Sequence, residues 1–218
     1  MFIFYSGCCG FYIFSYILSS KHHDTEIVVC VPFRKNVQDG VKTGMVRATR
    51  DCVSGVDALK EKFLNLTLAK NASGVLNEWF ARTFTSSSYV KDLEEEVNYK
   101  WALDHGGKNV NESVEDALIN GIGQPLLELI KYLEFDHMKH CVPDNVSSGL
   151  SNLPLEYVYV NGKPNKAQKT TKQLPTGEKL NGKETYKRIL SYFTTTDISP
   201  AEIFEEGKKQ LDIFYTEV

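Results

Sequence analysis

The sequence is short of recognisable catalytic signatures. Neither H-E-x-x-H nor G-x-S-x-G occurs, so it encodes neither a zinc helix with two histidines and a general base nor the strained elbow of a serine hydrolase. A cationic surplus is missing too. Lys+Arg number 25 against 28 Asp+Glu, for a net charge of −3, whereas a dedicated nucleic-acid binder carries basic excess to neutralise phosphates. Cysteines number five, too few for a disulfide-dense scaffold. At 218 residues the chain buries roughly 70% of its unfolded surface and does not need one. Its 42% hydrophobic and 24% charged content excludes intrinsic disorder and fits one globular domain or two small ones.

Met1 to Ser20 holds no charged side chain and is long enough to cross a hydrocarbon core of about 30 Å. Its flanks fit a signal or anchor poorly. No Lys or Arg precedes it, Lys21, Arg34 and Lys35 follow it, and no A-x-A-like cleavage site stands near Ser20. Residues 1–35 are therefore read as a hydrophobic leader: a signal, an anchor or a misjoined N-terminus. Membrane contact, if any, is expected through residues 1–20. Glycosylation sequons point the same way as a leader. N-x-[ST] occurs at Asn65, Asn71, Asn111 and Asn145, where chance gives about one or two. The expected location is secreted or membrane-anchored, with the domain extracellular or luminal. Of the cysteines, Cys8 and Cys9 lie in the leader, leaving Cys30, Cys52 and Cys141. One disulfide and one leftover thiol is one reading, with Cys52–Cys141 the first pairing to test; three buried thiols is the other.

From Asn36 onward the spacing is mainly helical. Val37, Val41 and Met45 recur at four, and Val53, Val56, Leu59 and Phe63 at three and four, predicting amphipathic helices on either side of Thr49. Gly40 and Gly44 would share a face of the first, either for close approach of a neighbour or as glycines at a frayed end. Short helices are expected near Val75 to Phe84 and Val90 to Leu103. The stretch from Glu112 to His140 carries the longest helical pattern, interrupted by Gly121, Gly123 and Pro125, which predicts a kink or two abutting helices. Leu155 to Val160 is strand-like and precedes Asn161-Gly162, a two-residue hairpin signal. A return strand through Lys166 to Lys172 would complete a small β-hairpin inserted in a helical domain. Lys163, Lys166, Lys169 and Lys172 lack interleaved aromatics and are read as its solvated face, so no nucleic-acid partner is expected. Ser199-Pro200-Ala201-Glu202 is the clearest helix start, with a capping serine, proline at the first helical position and the capping-box glutamate. Ile203, Gly207, Leu211 and Phe214 line one face of that helix, an apolar stripe in want of a partner.

Three chemical constellations are suggested and left incomplete. Gly177 to Lys183 has the glycine and lysine spacing of a phosphate loop, but Glu184 stands where a hydroxyl would meet magnesium and no buried strand leads in. Glu134, His137 and His140 share a helical face, beside Asp136, yet lack a further ligand, and the histidines suit a helix C-terminus. His105 stands by Gly106-Gly107 in an expected turn. No complete catalytic set emerges.

Residues 180–211, LNGKETYKRILSYFTTTDISPAEIFEEGKKQL, resemble the family catalogued as domain of unknown function 885. The matching positions are Gly182, Tyr186, Thr194, Thr195, Thr196, Ser199, Pro200, Glu202, Ile203 and Gly207. Weaker matches are the Gly149 to Pro154 loop, the Ile122 to Leu133 helix with Pro125, and the Gly40 to Gly44 helix. Phe193 stands where relatives carry histidine, and Lys163 to Gln173 looks like an insertion. The resemblance implies a zincin-like, metallopeptidase-related helical fold, of which residues 36–218 form a partial domain. Zinc and a peptide-like substrate would belong to a full-length relative, whose zinc helix lies downstream of the threonine motif. No metal ligand or catalytic residue carries over to this chain. The expectation is thus a catalytically incompetent portion of a secreted metallopeptidase-like hydrolase, with a non-catalytic binding module as the alternative.

Overall fold

The computed structural model describes residues 30–147 and 149–216. The fold is mainly α-helical with one small two-stranded antiparallel sheet. Where the sequence suggests one helical domain from residue 36, the described residues divide into two compact units. The first comprises those up to Val37 together with Val53–His137, and the second Gln38–Cys52 with Met138 onward. No described helix is long and apolar enough to cross a membrane, and the leader at residues 1–20 lies outside the described residues.

Helix α1 spans Cys30–Thr43 and α2 spans Thr49–Lys62. Met45, placed in the first helix by its spacing, falls outside. Gly44 stops α1 by adopting φ +86°, a conformation open to glycine without penalty. A Cβ there would stand 2.6 Å from the Leu155 carbonyl oxygen, so Gly44 serves a turn and a close backbone approach rather than a small-residue helix face. In α2, Val56 and Leu59 are buried while Val53 is exposed.

The first unit is built from local caps. Helix α3 covers Leu64–Ala69, a 3₁₀ turn Ala72–Asn77, and α4 Trp79–Thr85. The buried Glu78 carboxylate accepts hydrogen bonds from the Leu66 N–H (3.0 Å) and the Asn65 side chain (3.4 Å), satisfying donors that the first turn of α3 leaves open. Asn71 caps the 3₁₀ turn through the Gly74 N–H at 3.2 Å. Two short helices follow, α5 at Ser88–Lys91 and α6 at Glu95–Asp104, and α7 at Val110–Leu118 opens with a complete Asn109–Glu112 capping box. Where a kink or two abutting helices was expected around Gly121 to Pro125, a π segment carries the helix through, and a second one follows. Ile119–Gly123 joins α7 to α8 (Gln124–Lys131), and Tyr132–Asp136 leads into a 3₁₀ turn at His137–His140. Each π turn admits an extra residue without ending the helix. At Gly123 a Cβ would collide with the Ala72 carbonyl oxygen, so glycine lets the π turn lie against the 3₁₀ turn. Leu66, Val75, Leu118, Leu126 and Ile130 fill the core. Burial raises the Tyr132 phenol pKa, partly offset by the Arg34 cation.

In the second unit, residues 47–49 and 141–142 clamp one another. Val142 N–H donates to Arg47 O, and Thr49 N–H to Val142 O at 2.7 Å. Beside this clamp Cys52 and Cys141 are joined by a disulfide, the pair that the sequence placed first, with Cα atoms 6.6 Å apart. Strands β1 (Tyr157–Val160) and β2 (Lys163–Lys169) form the hairpin. Its return strand begins at Lys163, three residues before the expected start at Lys166. Asn161 and Gly162 both take positive φ (50° and 77°), a two-residue turn that pairs Lys163 directly with Val160. Helices α9 (Gly182–Thr194) and α10 (Pro200–Thr216) complete the described residues.

Candidate docking surface

The residues Gly182 to Gly207 form a helix–turn–helix whose local chemistry is almost wholly structural. Asn181 caps α9 by accepting the Glu184 N–H at 3.2 Å. Gly182 is buried and its N–H donates to Leu153 O at 3.0 Å. A Cβ at Gly182 would fall on the Leu150 carbonyl oxygen and 2.7 Å from that of Leu153. The phosphate-loop spacing is thereby spent on chain packing. The Gly182 amide already has a protein acceptor, and Gly177, at φ +86°, serves a turn closed by its N–H to Leu174 O. Thr195 ends α9 in the left-handed region, φ 56°. The Thr194 hydroxyl reaches back to Leu190 O, and Ser191 donates to Asp197 at 2.8 Å. At the start of α10 the capping box is formed in both directions: Ser199 N–H to the Glu202 carboxylate at 2.7 Å, and Glu202 N–H to the Ser199 hydroxyl at 3.3 Å. Hydrogen bonds from the Ser199 side chain and backbone hold the Glu202 carboxyl below its ordinary pKa.

Neither of the two helices buries its apolar side chains. No residue of α10 is buried, and within α9 only Gly182 is. Phe204 and Phe214 are each 65% exposed, Tyr192 and Tyr215 80%; Leu211 and Phe193 are also exposed. Ile203, Leu211 and Phe214 were legible as a stripe in want of a partner. Tyr192, Phe193, Phe204 and Tyr215 were not, because aromatic residues at such spacing read equally well as core. Tyr186 lies exposed on α9, and Gly207 leaves open space where its side chain would be. Large apolar side chains left exposed in such number on two helices are of the kind that mark interaction sites.

The other candidate residues are dispersed among structural partners. Glu134 is ion-paired with Lys60. His140 donates from Nδ1 to Tyr159 O at 2.8 Å, tying the 3₁₀ turn to β1. His137 is buried. His105 caps the end of α6, stacked on Trp101 with centroids 3.7 Å apart. Cys52 and Cys141 spend both sulfurs in their disulfide, which leaves neither thiolate to ligate a metal. Among the glycosylation candidates, Asn145 is exposed in a loop and Asn71 exposed at a 3₁₀ start. Asn65 and Asn111 sit inside helices with their side-chain amides donating to Asn77 O and to Glu115.

The chain matches no protein-family model, no curated protein and no solved structure.

Proposed function

We propose that this chain is a secreted, non-catalytic scaffold, and that the α9–α10 pair is the face by which it docks another polypeptide. The observation that carries this reading is the set of exposed aromatic and aliphatic side chains on two well-capped helices. Burying one such aromatic side chain removes about 150–250 Å² from water, so four or five of them supply the core of a standard interface. The disulfide supports an oxidising compartment, in keeping with the four sequons. In the setting that the resemblance to domain of unknown function 885 suggests, the occupant of this face is the zinc-bearing portion of a metallopeptidase-like hydrolase. The buried Gly182 and the formed Ser199–Glu202 capping box favour that setting, since they give the motif residues scaffold roles. The purified chain is then expected to bind no stoichiometric zinc and to hydrolyse no peptide. One zinc ion per chain together with peptide turnover would refute the scaffold reading.

A second reading, a self-sufficient module for a separate partner protein, is favoured by the clamp and disulfide that close the second unit without help. It predicts a monodisperse chain with a single sharp melt. The hydrolase-portion reading predicts self-association through the uncovered aromatics.

A further inference from the structure

We infer that the β1–β2 hairpin is a binding surface for a sulfated polysaccharide. Residues 157–177 contain four lysines and no Asp or Glu, in a chain whose net charge is −3. Lys163, Lys166, Lys169 and Lys172 are all exposed, and none of them makes an ion pair among the described residues. Six lysines elsewhere do find carboxylates, at Lys42, Lys60, Lys100, Lys108, Lys187 and Lys209. The four of the hairpin do not, and positive charge gathers there on one element between the flanking Glu156 and Glu178, an arrangement that draws anions to it.

The hairpin also holds its lysines in place. Asn161 N–H donates to Lys139 O at 2.7 Å and His140 to Tyr159 O at 2.8 Å. At the far end Thr170 N–H donates to Glu156 O and Thr171 N–H to Lys42 O, both at 3.0 Å. Lys163 to Lys169 span roughly 20 Å of extended chain, a row of ammonium groups suited to a linear polymer with repeated anionic groups.

The chemistry favours sulfate esters over a phosphodiester backbone. Ammonium groups on flexible stems meet sulfate and phosphate alike as point charges, so the choice rests on what surrounds them. Strand β2, KPNKAQK, offers no aromatic ring on which bases could stack, and the two tyrosines of β1, Tyr157 and Tyr159, are half-buried. The disulfide in the same unit favours an oxidising compartment, where sulfated glycans are met and cytosolic nucleic acids are not. This inference does not depend on the α9–α10 docking face.

The test is binding of the full chain to immobilised heparin, with N- and O-desulfated heparin and single-stranded DNA as comparison arms. Four engaged ammonium groups predict that affinity falls roughly 100-fold between 50 and 200 mM salt, by analogy with polyanion counterion release. Lys166→Glu/Lys169→Glu should lose most of the binding and flatten the salt dependence at unchanged melting temperature, and Lys166→Gln/Lys169→Gln should do so more mildly. Desulfated heparin should fail to bind. Equal retention of both variants, or no binding at 50 mM salt, overturns the site. DNA binding as tight as heparin binding overturns the choice of a sulfated glycan.

Discussion

Removing the Cys52–Cys141 bond probes the second unit most sharply. The two residues are 89 apart in sequence, and closing a loop of that length in the unfolded chain is worth about 4.6 kcal/mol at 25 °C on the chain-entropy account. That figure is a ceiling that applies when both units unfold together. If Val53–His137 stays folded while the second unit melts, the loop is already partly closed and the loss is smaller. For a chain of this size each kcal/mol shifts the melting temperature by roughly 2–4 °C, so the ceiling corresponds to about 9–18 °C. The assay compares thermal unfolding of the oxidised full chain with that of Cys52→Ala/Cys141→Ala, followed by circular dichroism. Alkylation and mass spectrometry run alongside. Both sulfurs are held in the bond, so neither cysteine should be alkylated when the chain is unfolded without reductant. Modification of both under those conditions, or a double variant melting within 2 °C of the parent chain, would refute the reasoning.

Three further outcomes follow from named contacts. Gly182→Ala should destabilise the second unit by about 3 kcal/mol, at the upper end for overpacking, because the new methyl would fall on the Leu150 carbonyl; a melt unchanged in urea would contradict this. Glu78→Ala leaves the Leu66 N–H buried without its acceptor, for a loss of about 1–3 kcal/mol read from urea denaturation of the first unit. At Glu202 the pKa is lowered in the folded chain, so its capping contribution is present above the ordinary glutamate value of 4.5 and is lost as pH falls through the lowered value. Carboxyl titration by NMR should place its midpoint below 4.5, and Ser199→Ala should raise it; a midpoint at or above 4.5 in the parent chain would count against the cap.

Helix starts and tight turns were the most legible part of the fold, because their signals are local. Ser199-Pro200-Ala201-Glu202 and Asn161-Gly162 carry their geometry in adjacent residues, and both appear as expected. Met45 was misplaced because periodicity does not register a stop whose reason lies far away: Gly44 turns out because Leu155 occupies the space a side chain would need. The return strand was shifted by three residues because four evenly spaced lysines gave no alternation by which to set register. Glu78 went unnoticed for a related reason, since its partners Asn65 and Leu66 sit more than ten positions earlier. At the docking face, the Ile203–Phe214 stripe was visible as helical spacing, but whether an apolar face meets its own core depends on the rest of the chain. The lysines of the hairpin were equally plain in the sequence, whereas their lack of carboxylate partners emerged only with the ion pairs formed elsewhere.

The claim that α9 and α10 present an uncovered docking face is tested most directly by fluorescence of an anilinonaphthalene sulfonate dye on the native full chain. Phe204 and Phe214 are each 65% exposed, so Phe204→Ser/Phe214→Ser should alter folding stability by no more than about 0.5 kcal/mol per site. The account predicts strong dye fluorescence from the parent chain and a large loss of it in the double variant at the same melting temperature. A native chain that leaves the dye dark, or a double variant that binds it as well as the parent, would contradict it.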